Sequence, residues 1–172
     1  TANCWPPGLD TDFRDCPVVI ARTLPAMDDQ LPVSEIEALC VSLIAAADRF
    51  IYAESQYFAS AKIASAIAKR LSEEDGPEIV IVNPESAEGW LESVIMNSSR
   101  ARLFEAVKAK DQYDRFRMYH PFTDAGTPIY VHAKILIVDD QFIRIGSSNF
   151  NNRSLGFDSE CDVALDASGD ES

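Results

Sequence analysis

The chain has 172 residues, 47% of them hydrophobic, and a formal net charge of −13 from 28 acidic and 15 basic residues. That length supports one domain with its own core, and no window is apolar for long enough to make a membrane span. The acidic field repels nucleic acid, and only short basic pairs such as Lys69-Arg70 stand against it, so nucleic acid is disfavoured as a partner.

Residues 1–17 carry Pro, Gly and Asp without periodicity and read as an extended lead-in, whose prolines and Trp5 pin it to the surface. The chain starts without Met, a basic segment or an apolar leader, so no signal peptide is in view, and both termini read as cuts in loops. PVVIART, 17–23, predicts a short buried strand. Ser34 and Glu37 have the spacing of a capping box. They open a helix with Ile36, Leu39, Cys40, Leu43 and Ala47 on its apolar face. FIYAES, 50–55, predicts a strand, and Ser60 caps a second helix with Ile63, Ile67 and Leu71 on one face. Gly76-Pro77 stops it, EIVIVNP, 78–84, predicts another buried strand, and a helical region covers about 90–110. FRMYHPF is strand-like, and 131–149 predicts two strands around Asp139-Asp140. Alternating strands and helices predict one α/β domain over 1–172, with a mixed, partly parallel sheet flanked by helices on both faces and an acidic tail at 166–172.

The four cysteines, Cys4, Cys16, Cys40 and Cys161, are too few for a disulfide scaffold and contain no Cys-x-x-Cys pair. All four read as structural, with a Cys4–Cys16 bridge left open, and neither a metal site nor a cofactor is expected. The chemistry concentrates in VHAKILIVDDQFIRIGSSNFNNRS, 131–154. Strand alternation puts His132 and Lys134 on one face with Tyr130, Leu136 and Val138. An antiparallel return through FIRI brings Gly146, Ser147 and Asn149 back beside them. An imidazole, an ammonium and an amide at one point suit a phosphate group.

The pattern His132-x-Lys134-x4-Asp139-x6-Gly146-Ser147-x-Asn149 fixes six positions over eighteen residues and resembles the HKD motif of the phospholipase D superfamily. IYAESQYF, 51–58, PVVIARTLP and NNRSLGFDSEC are similar to flanking segments of the same family, so the likeness covers nearly the whole chain. It resembles the C-terminal half of a bacterial two-motif phospholipase D. Ser55 departs from the family's usual Asn. The resemblance implies the phospholipase D-like fold and phosphodiester hydrolysis or transphosphatidylation on phospholipids through a phosphohistidine, without a metal. It implies His132 as acid/base, Lys134, Asn149 and Ser147 on the phosphate, Glu160 orienting His132, and Asp139 and Gly146 as structural members. Glu54 and Gln56 become candidates for the substrate pocket. Tyr57, Phe58, Trp90 and Phe104 read as core.

Such a site needs two histidines of this kind, and the chain's only other histidine, His120, has Phe122 where a Lys would be required. The chain therefore carries half a site. The partner is a second HKD half, from the same longer chain or from a second copy in a homodimer. Cardiolipin synthase-type transfer, a superfamily nuclease and a half-domain inactive alone are the alternatives. The compartment is open: a bacterial cytoplasm or the membrane periphery.

Overall fold

Short apolar runs broken by amphipathic stretches build alternating strands and helices. A computed structural model describes residues 6–10, 16–85 and 90–167, with backbone alone for 90–98. In chain order the elements are β1 (Val18–Leu24), β2 (Val33–Ser34), α1 (Glu35–Ala46), β3 (Phe50–Glu54), β4 (Phe58–Ala59) and α2 (Ala61–Leu71). They continue with β5 (Glu78–Val82), α3 (Trp90–Lys108), β6 (Phe116–Tyr119), β7 (Ile135–Val138) and β8 (Phe142–Gly146). The last are β9 (Phe150–Asn151), α4 (Asn152–Gly156) and β10 (Glu160–Asp166).

Eight strands form one mixed sheet in the order β2-β1-β10-β8-β7-β3-β5-β6, and β4 and β9 pair separately. β3, β5 and β6 are parallel, joined through α2 and α3, while β7, β8, β10 and β1 run antiparallel to their neighbours. The expected mixed, partly parallel sheet is therefore present.

Register explains where the core sits. Leu136, Ala53 and Ile81 lie in one cross-strand row with Arg144, and Ala21 lies in a neighbouring row of the same face with Asp162 and Gly146. These apolar side chains join Ile36, Cys40 and Ile44 of α1, Ile63, Ile67 and Leu71 of α2, and Val107 of α3 in a single core. A fully buried Ile contributes about 2–3 kcal/mol. Burial also pushes the Cys40 thiol up to about 11, as expected for a small core residue.

The helix side chains in this core come from α1, α2 and α3 and pack against that face of the sheet. The opposite row runs Ile20, Val163, Ile145, Ile135, Glu54 and Val82. Ile20 on it is 64% exposed and Ile145 47% exposed.

Three local expectations change. β1 was expected to be buried, yet Val18, Val19 and Ile20 are exposed, and burial in this strand, which only the two-residue β2 separates from the sheet edge, is confined to Ala21 and Thr23. The Ser34 side chain makes no capping bond; Glu35 instead takes Arg22, and Glu37 pairs with Lys62. Ser60 does cap α2, its Oγ accepting from the Ile63 N–H at 3.3 Å. The expected acidic tail begins later than 166, since Asp166 closes β10. Cys4, Trp5 and residues 168–172 lie outside the described residues, as does the side chain of Trp90.

Candidate functional site

The site forms where the β7–β8 hairpin opens. His132 and Lys134 were expected inside the first strand, but β7 starts at Ile135 and both stand in the extended segment before it. The hairpin still reaches them: the Gly146 N–H donates to the Lys134 carbonyl at 3.3 Å. The Lys134 Nζ donates to the His132 carbonyl at 2.8 Å. Burial draws the Lys134 ammonium below the ordinary lysine value; Glu160 pulls it back up and Arg144 pushes it further down. The His132 side chain is exposed, and its ring lies nearly parallel to that of Tyr130, centroids 6.4 Å apart.

The loop after β8 sits on a buried ion pair. Arg144 and Asp162, 1% and 0% exposed, pair directly, and the Arg144 Nε donates to Asp162 Oδ2 at 2.7 Å. The Arg144 guanidinium also donates to the Ser148 carbonyl at 2.9 Å, and Asp162 takes the Ser148 N–H at 3.2 Å. Asp162 lies directly over Gly146: a β-carbon there would fall 1.9 Å from Asp162 Oδ1. That close approach is why position 146 carries no side chain.

Above this base, Ser147 donates its hydroxyl to Glu160 and accepts the Cys161 N–H at 3.1 Å. Among the described residues no hydrogen bond joins Glu160 to His132, so in this structure the Glu160 carboxylate engages Ser147 instead. Asn149 is 8% exposed and turns its Oδ1 to the Gln56 N–H at 3.3 Å and the Ser55 hydroxyl at 3.4 Å. Asn149 and Glu160 line a cleft of about 380 Å³ with Tyr57, Asn152, Arg153 and Asp158. Arg153 and Asp158 pair across it at 2.9 Å. Asn151 caps α4 through the Ser154 N–H at 2.7 Å, which fixes the segment beside Asn149.

The two pocket candidates from β3 separate. Gln56 reaches the site, its Nε2 donating to the Tyr130 hydroxyl at 2.6 Å and the Tyr57 hydroxyl at 2.9 Å. Glu54 lies in the row on the opposite face of the sheet and accepts from the Tyr52 hydroxyl at 2.7 Å. Burial, and Glu54 after it, pushes that hydroxyl up to about 12.

Asp139 stands at the far end of the hairpin. With Asp140 it forms a turn with φ of 55° and 60°, the left-handed region that Asp tolerates. Its carboxylate accepts the N–H groups of Asp48, Arg49 and Phe50 at 2.5, 2.8 and 2.7 Å. Burial raises its pKa, but these backbone donors outweigh it and hold the group below the usual carboxylate range. His120 sits at the end of β6, its Nδ1 3.1 Å from the Asn83 carbonyl. Three strand spacings, roughly 14 Å, lie between β6 and β7.

The family description "Cardiolipin synthase, PLD-like domain" matches residues 40–170. The chain belongs to the phospholipase D-like family. Phospholipase D zeta 2 of Arabidopsis thaliana is 26% identical over 205 residues, covering 94% of this chain and 20% of that protein. Nuc, a phospholipase D family member from Salmonella typhimurium, shares the fold at a TM-score of 0.60, with 18% identity over 87% of this chain and 82% of Nuc. Phosphatidylserine synthase of Haemophilus influenzae does so at 0.64, with 18% identity over 87% of this chain and 35% of that protein. The chain spans 8%, 20% and 10% of the length of the first curated relatives it matches.

Sequence reasoning on this phospholipase D-like domain missed Ser55, Tyr130, Arg144 and Asp162. A signal existed for the last two. Arg144 is a lone charge in the otherwise apolar FIRIG, and Asp162 falls on the inward parity of β10; such charges persist in a core when they meet each other. Ser55 gave no signal beyond its departure from the resembling segment.

Proposed function

We propose that this domain supplies one half of a phospholipase D-type phosphodiesterase site acting on phospholipids. The observation that carries the reading is the convergence at the open end of the β7–β8 hairpin. There the Lys134 carbonyl meets the Gly146 N–H, and Asn149 and Glu160 line one cleft. Lys134 and the Asn149 amide hold the phosphoryl oxygens and offset the charge that develops on them. Ser147 ties the loop to Glu160 and shapes the same end. His132, exposed beside Lys134, protonates the leaving alcohol and then takes a proton from water or an acceptor alcohol. The phosphohistidine forms on a second histidine, and no metal enters these steps. Glu160 orients His132 once substrate is bound, exchanging its Ser147 contact for the ring nitrogen. Asp139 and Gly146 shape the scaffold, and Gln56 lines the pocket through Tyr130.

The second histidine comes from another half. His120 follows β6, three strands across the sheet from β7, and its Nδ1 lies against the Asn83 carbonyl. The partner is a second motif in a longer chain or a second copy. Phosphatidyl transfer to a lipid alcohol, as in a cardiolipin synthase, is the second reading, favoured by the family description.

The test is the product formed from phosphatidylcholine and from phosphatidylglycerol by the protein in which this domain meets a second motif. Phosphatidic acid release that disappears in His132→Ala supports the hydrolase. Cardiolipin from phosphatidylglycerol supports the transferase, and no phosphodiester turnover on either lipid contradicts both.

A further inference from the structure

We propose that Ser55 is a positioning residue for Asn149, fixing its amide so that both N–H groups face the cleft. The inference rests on the reading of Asn149 as a phosphate ligand.

Ser55 directly follows β3 and is 1% exposed. Its backbone is held on both sides. Its N–H donates to the Val82 carbonyl at 3.1 Å, and its own carbonyl accepts from Asn83 Nδ2 at 2.5 Å. Its Oγ accepts the Phe150 N–H at 3.1 Å and the Tyr57 N–H at 3.4 Å. A hydroxyl has two lone pairs and one proton. Two backbone donors occupy the lone pairs, so the proton is what Ser55 has left to give. It goes to Asn149 Oδ1, 3.4 Å away.

The Gln56 N–H reaches the same atom at 3.3 Å. A backbone N–H only donates, so the atom it meets is the amide oxygen and the amide nitrogen lies on the other side. Asn149 lines the cleft with Glu160, and with its Oδ1 turned to Ser55 and Gln56 we take Nδ2 as the group offered there. Reversing the amide would aim a carbonyl oxygen at an anionic phosphoryl group and set N–H against N–H at Gln56. Ser55 and Gln56 together forbid that reversal. Ser55 thus acts on phosphate through Asn149 without touching it.

The test uses the full chain, inorganic phosphate as the probe, and the Asn149 side-chain amide signals in a nuclear magnetic resonance titration. In the wild-type chain, phosphate is expected to shift the Asn149 Nδ2 signals. Ser55→Ala is expected to weaken phosphate roughly tenfold and abolish that shift, while Ser55→Thr, which keeps the hydroxyl, restores both. Wild-type affinity in a folded Ser55→Ala chain overturns the inference. So does a wild-type titration that leaves the Asn149 amide unmoved, a result that stands even if Ser55→Ala fails to fold. Lys134→Ala separates the two levels. If phosphate binds as well without Lys134, or does not bind the wild-type chain at all, the reading of the site fails and takes the inference with it. If Lys134→Ala abolishes binding while Ser55→Ala leaves it intact, only the role of Ser55 fails.

Discussion

The two ends of the β7–β8 hairpin belong to one eighteen-residue motif and are built in opposite ways. At the turn, the Asp139 carboxylate takes three backbone N–H groups at the start of β3. At the open end, donors remain unused among the described residues. An ammonium has three N–H groups, and one of those on Lys134 goes to the His132 carbonyl. Among the described residues the Asn149 side chain is held through its Oδ1, and His132 is exposed. The saturated end is scaffold. The end with donors to spare, set on a buried ion pair, is where the proposed function puts the phosphate.

That contrast makes opposite demands on substitution. The largest expected effect is at the open end. His132→Ala in the assembled enzyme should lower turnover about 10³-fold while leaving the urea midpoint unchanged. A parallel loss of stability would mean that His132 is part of the scaffold. Beneath the loop, Asp162→Ala leaves Arg144 buried without its carboxylate and should cost about 3–5 kcal/mol of unfolding free energy in a urea titration. An unchanged midpoint would show that the ion pair does not support the loop.

At the turn, Asp139→Asn removes the charge that three backbone donors hold. It should destabilise the fold by about 3 kcal/mol at neutral pH, measured by urea unfolding. The pH dependence follows from the lowered pKa of Asp139. Its stabilisation is fully present above the unfolded carboxylate value, about 3.9, and disappears as pH falls through the lower folded value. The urea midpoints of wild type and Asp139→Asn should therefore differ at pH 7 and converge below about pH 4. Midpoints that stay apart in acid would mean that the side chain acts by shape rather than charge. The smallest effect is expected on the sheet face that carries Glu54. Glu54→Gln should change stability by less than about 0.5 kcal/mol and leave turnover unaltered. A large loss of activity there would move the site to the other side of the sheet.

The regions differ also in how far the sequence revealed them. Six motif positions announced the hairpin, and alternation carried Asn149 back toward Lys134. The same alternation extended the strand too far, placing His132 and Lys134 inside it, because periodicity does not register where pairing stops. β3 ends its pairing to β7 at Glu54↔Ile135, so the segment before Ile135 leaves the sheet. Glu54 and Gln56 looked equivalent on parity, but the chain leaves β3 after Glu54 and only Gln56 turns toward Tyr130. At the start of α1 the expected capping box gives way to nonlocal partners: Glu37 pairs with Lys62 of α2 and Glu35 with Arg22 of β1. The network around Ser55 is nonlocal too, since its donors come from Phe150, 95 positions away, as well as from nearby Tyr57.

Half a site is the central claim, and hydrolysis of bis(p-nitrophenyl) phosphate by the isolated chain tests it most directly. The rate should be read at concentrations where light scattering gives a monomer, with His132→Ala alongside. The expected result is a folded monomer no faster than its variant, with turnover appearing only when a second motif or a second copy joins it. A monomer that hydrolyses the diester and loses that activity in His132→Ala would mean that one chain holds the whole site.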